Sequence, residues 1–181
     1  MAVIAISGIV VWRVFSGGSD GASLGPDPSD FVVNPAVSAY WRDDGRLLVT
    51  RSRELLPEIA VDLSDGQTCV PSAEFRAIRC PDIPGELEES AATLEALIAD
   101  ARATSPPPDS TASEWLRLQL VGWEELLVRL RLFAEIGRDG YDEQQWDEAF
   151  AVYAEGDAFT QSEQQLARML AEVAPEDLAP R

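Results

Sequence analysis

The 181-residue chain has no histidine and no lysine, so all 14 of its basic residues are arginine. Without imidazole it has no ordinary side chain that both gives and takes a proton near neutral pH. A Ser-His-Asp triad is therefore excluded within this chain, and no Gly-x-Ser-x-Gly elbow occurs. Cysteine is scarce as well, with two in all. Two thiols and no histidine cannot fill the four positions of a structural zinc site. No glycine-rich phosphate loop follows a strand-like run. The expectation is no catalytic residue, no metal and no cofactor.

The two cysteines, Cys69 and Cys80, stand at the ends of CVPSAEFRAIRC. A thioredoxin-like pair needs C-x-x-C spacing, which this is not. Two readings remain: a structural disulfide, which is favoured, and two buried thiols. A bridge closes a loop of about a dozen residues and stabilises by roughly 3 kcal/mol. It also favours an extracytoplasmic compartment. One geometric objection stands. If Pro71-Ser72-Ala73-Glu74 is a hairpin turn, Cys69 faces a residue near position 76 rather than Cys80.

Acidic residues are abundant where basic ones are few: 32 Asp and Glu give a net charge of −18. From residue 85 onward seven Arg face 21 acids, which places −14 of that charge in the second half. Such a surface repels nucleic acid and attracts basic proteins or cations. Adjacent carboxylates occur at Glu124-Glu125, Asp142-Glu143 and Asp147-Glu148. Neighbours on a helix point about 100° apart and do not converge, so a carboxylate-based hydrolase is the weakest reading. Asp43-Asp44-Gly45 and Ser64-Asp65-Gly66 lack the spacing of a calcium loop, and turn chemistry accounts for both.

One long apolar run opens the chain. Val3, Ile4, Ile6, Ile9, Val10 and Val11 lead to Trp12 and Arg13, a pair suited to an interfacial anchor and a snorkelling cation. Eighteen helical residues span roughly 27 Å, just short of a hydrocarbon core. Residues 1–18 are read as a short transmembrane anchor, against a signal peptide or a buried element of a soluble domain. Residues 19–30, rich in Gly, Ser, Pro and Asp, read as a flexible linker.

The fold class expected is α+β, with a sheet of about five strands in residues 31–84 and four helices in residues 85–181. The strands rest on alternation such as Val37, Ala39, Trp41, and on Asp-Gly turns at 44–45 and 65–66. The helices rest on apolar spacing. Leu87, Ala91, Leu94, Ile98 and Ala101 mark one face, and a capping box at Thr111 opens a long helix to Ile136, closed by Gly137. Asp142 caps the next helix, and a box at Thr160 opens the last. The long helix is apolar on more than one face, so it is either central or open to a partner. Trp115, Trp123 and Trp146 are core by default, with a protein interface as the alternative, joined there by Glu124 and Glu125.

These features suit a single-pass bacterial inner-membrane protein, held through its N-terminal helix as an accessory subunit of a larger membrane complex, respiratory or photosynthetic, with no catalysis of its own. Its soluble part is placed outside the cytoplasm, although Arg13 after the apolar run weakly favours the reverse topology. The rival is a binding module whose acidic helical face docks a basic protein.

Overall fold

In the computed structural model, residues 32–69, 80–140, 142, 144, 145, 148 and 158–178 are described. Helix α1 (Pro35–Tyr40) runs through a π-helical turn (Trp41–Gly45) into α2 (Arg46–Cys69). Helices α3 (Ile83–Ala103), α4 (Thr111–Arg138), α5 (Ala158–Ala171) and α6 (Pro175–Leu178) follow. No strand occurs among the described residues, which overturns the five-stranded sheet. Residues 32–69 pack instead in the same compact unit as the C-terminal helices. The anchor segment 1–18 and the linker 19–30 lie outside the described residues, within which no helix is long and apolar enough to cross a membrane.

The sheet fails for a definite reason. In α2, Leu48, Ser52, Leu55, Ile59 and Leu63 are buried at spacings of three and four, a helical stripe with one serine in it. The Asp-Gly pair at 44–45 makes no hairpin turn, because Gly45 sits in the π-helical turn. A Cβ there would lie 3.2 Å from a ring carbon of Tyr40 and 3.3 Å from one of Trp41, so a side chain at this position would push the rings by a few tenths of an ångström. Gly66 is buried within α2, and Pro57 sits on the solvent face, where water can solvate the carbonyl it leaves free.

The helical half follows the apolar spacing closely. The five residues of the α3 face, Leu87 to Ala101, are all at most 3% exposed. Helix α4 begins one residue earlier than expected: Ser110 is the N-cap, and its side chain and that of Ser113 form a reciprocal capping box. It closes at Gly140, with φ +102°, rather than at Gly137, which is buried inside the helix. The amide of Gln145 donates to Asp142 Oδ1 at 2.9 Å, the expected cap. Helix α5 starts at Ala158, ahead of Thr160, and buries Leu166 and Met169.

Cross-links fix the helix directions. Arg51 pairs with Asp100, and Cys69 joins Cys80, so α2 and α3 run antiparallel. Helices α3 and α4 are antiparallel as well, through Glu88–Arg138 and Arg102–Glu124. Helix α4 packs on both α3 and α5 and is the central element. Its buried side holds Trp115, Trp123, Leu126, Leu130 and Phe133, each 1% exposed or less. Burial of such side chains contributes about 1.5–3 kcal/mol each. The outward side still carries Val121, Val128 and Leu132, so α4 is both central and partly open.

Candidate functional site

Helix α3 has a buried stripe down its middle and a charged flank on each side. On the α4 flank, Glu88, Glu95 and Arg102 recur every seven residues, two helical turns apart, and so form one line. They meet Arg138 at 2.6 Å, Arg131 at 2.7 Å and Glu124 at 2.7 Å, also seven residues apart. Every charge in this ladder has an opposite partner. Arg131 of α4 reaches across to Glu95 of α3.

The α2 flank is different. Leu55, Glu58, Val61 and Asp62 of α2 face Glu86, Glu89, Ser90 and Thr93 of α3 across an open groove of about 420 Å³. The residues of each set are spaced three or four apart, which brings each set onto one helix face. Among the described residues, four carboxylates line the groove and no arginine does. Glu58, Glu86 and Glu89 make no salt bridge among the described residues. Asp62 accepts a hydrogen bond from Ser90 Oγ at 2.7 Å, a polar link across the groove. More of the exposed lining is apolar than polar; Val61 is 58% exposed, and buried Leu55 also borders the groove.

The disulfide sets this groove's width. Cys69 ends α2, Cys80 stands just before α3, and both are buried and bonded with their Cα atoms 5.8 Å apart. The hairpin objection falls because the bridge joins the facing ends of two antiparallel helices, which no β register governs. Residues 70–79 lie outside the described residues.

A second polar cluster holds the ends of the unit together. Asn34 accepts from the amides of Ala36 and Val37 to cap α1, and its own amide donates to the Glu172 carbonyl at 2.8 Å. The Ala174 amide donates to Ser38 Oγ at 3.0 Å. Trp41 Nε1 donates to the Asp177 carbonyl at 3.2 Å, Arg42 pairs with the Asp177 carboxylate at 3.3 Å, and Arg46 lies over the Trp41 ring. Tyr40 hydroxyl lies 3.4 Å from Thr104 Oγ1. Either hydroxyl can donate, and Thr104 Oγ1 also reaches the Ala101 carbonyl at 2.8 Å. Burial pushes the Tyr40 phenol above its ordinary pKa; nearby Asp44 adds to the rise and the Thr104 hydrogen bond opposes it.

Among the other sequence candidates, Trp115 and Trp123 lie in the core, 1% and 0% exposed, and present no surface to a partner. Their indole N–H groups meet no acceptor among the described residues. Trp146 lies outside the described residues. Glu124 is engaged by Arg102 in the ladder, and Glu125 is exposed on the outward side of α4. These candidates therefore do not come together. The groove was missed because half of it falls in a stretch read as strand. No group of three metal-ligating side chains capable of holding an ion occurs among the described residues.

Comparison with protein-family models, with curated proteins and with solved structures gave no match.

Proposed function

We propose that this chain is a non-catalytic docking subunit whose acidic helical surface binds a basic protein partner. One observation carries the reading: carboxylates from α2 and α3 face one another across a groove that no arginine of the described residues enters. Like charges held side by side repel, and that cost is removed when a cation enters between them. On the opposite flank of α3 the chain pairs Glu88, Glu95 and Glu124 with arginines of its own.

The buried disulfide supports an extracytoplasmic placement. The apolar run from Val3 to Val11 supports attachment to a membrane and hence a place as accessory subunit of a larger membrane complex, a reading that rests on the sequence alone.

The test is isolation of the native protein from its source cells under mild conditions at low salt. The expected result is a stoichiometric complex with a basic protein, which dissociates steeply as ionic strength rises. A lone protein at low and high salt alike overturns the reading.

A further inference from the structure

We infer that the α2/α3 groove is the docking site for a basic amphipathic segment of the partner, with its cationic side chains meeting Glu58, Glu86 and Glu89 and an apolar side chain resting on Val61. This rests on the docking reading and goes further by naming the site and the chemistry of what fills it.

Three observations select the occupant. The first is charge: four carboxylates line the groove, and three of them lack an ion pair among the described residues. A second copy of this chain would bring another −18 to the same place, which disfavours self-association through it. The second is the floor. Val61, 58% exposed, and Leu55 both line the groove, so a purely ionic ligand leaves apolar surface uncovered while an amphipathic one covers it. The third is shape. Two antiparallel helices bound an open groove whose acids recur every three or four residues on each wall, a spacing that matches cationic side chains one turn apart on an entering helix.

The segment sits lengthwise between α2 and α3. Its arginines or lysines reach the rim, where water is close and each pair is worth little, and several pairs together give specificity and a fast on-rate. The disulfide holds the two walls at fixed spacing beyond Asp62 and Glu86, so the groove is formed before the partner arrives.

The experiment uses the full chain and a synthetic amphipathic helix of about 15 residues, with arginines one turn apart around a central leucine. Binding is read by fluorescence anisotropy at about 50 mM and about 500 mM salt. The wild-type chain should bind at low salt and release at high salt. Glu58→Gln, Glu86→Gln and Glu89→Gln combined should weaken binding about tenfold. A control with the same charge change at Glu125, Glu163 and Glu176, all exposed, should stay within about threefold. A peptide with its leucine changed to serine should bind several-fold more weakly. Circular dichroism confirms that both triple variants fold.

Equal losses in the two triple variants overturn the groove while leaving an acidic docking surface intact. A peptide that binds equally well without its leucine also overturns the inference. Absence of wild-type binding to any basic amphipathic helix does the same. The docking reading itself stands or falls on the native complex.

Discussion

The seam between α2 and α3 and the seam between α3 and α4 share a helix and an antiparallel direction, yet they are held together differently. The α3/α4 seam carries three ion pairs in register, each made within the chain. The α2/α3 seam is held by the buried bridge at one end, the Arg51–Asp100 pair toward the other, and the Ser90–Asp62 hydrogen bond between them. Its remaining carboxylates face each other. One seam thus answers its charges with ion pairs, and the other sets like charges beside a covalent staple.

The largest expected effect falls on both seams at once. Leu94, fully buried on the stripe between the two flanks, should cost about 2–5 kcal/mol when changed to alanine, seen as a fall in the denaturant midpoint. The paired change Cys69→Ser with Cys80→Ser should cost roughly 3 kcal/mol, and reductant should do the same to the wild type. That loss belongs to the α2/α3 seam. Hydrogen exchange should rise in α2 and the start of α3 and little at the α3/α4 ladder; uniform loosening would break the distinction.

Alkali probes a point outside both seams. The folded chain holds the Tyr40 proton above the ordinary tyrosine pKa, so the unfolded chain ionises first. Stability should therefore be unaffected below about pH 10 and fall above it, by no more than about 1.4 kcal/mol per pH unit from this group. Tyr40→Phe should flatten that fall in the pH dependence of unfolding. The smallest effects make the sharpest comparison. Glu95→Gln should lower stability by about 0.3–0.5 kcal/mol, because it breaks a rung of the ladder. Glu89→Gln, on the same helix, should leave stability unchanged or raise it by a few tenths, because it relieves repulsion. Equal losses would show that the two flanks are electrostatically alike.

How much of this the sequence displayed depended on whether the signal was local. Leu87, Ala91, Leu94, Ile98 and Ala101 announce α3 because their spacing alone defines a face, and α4 is clear for the same reason. Cap positions slipped by a residue, since Ser110 and Thr111 are both good N-caps and only geometry chooses between them. The first half was misread because two Asp-Gly pairs outweighed a helical stripe that includes Ser52 and Gly66. Those glycines serve packing: Gly45 admits two aromatic rings, and Gly66 is buried. The groove had no local signature. Its walls lie more than twenty residues apart in the chain, and its meaning lies in which charges are not answered across space.

The clasp between the π-helical turn and α6 bears on how the chain is made. Trp41 and Arg42 leave the ribosome about 135 residues before the groups they hold, the carbonyl and carboxylate of Asp177. Vectorial synthesis therefore leaves that indole and guanidinium without those partners until α6 has been made. The clasp is among the last contacts of this unit that can form while the chain is being synthesised.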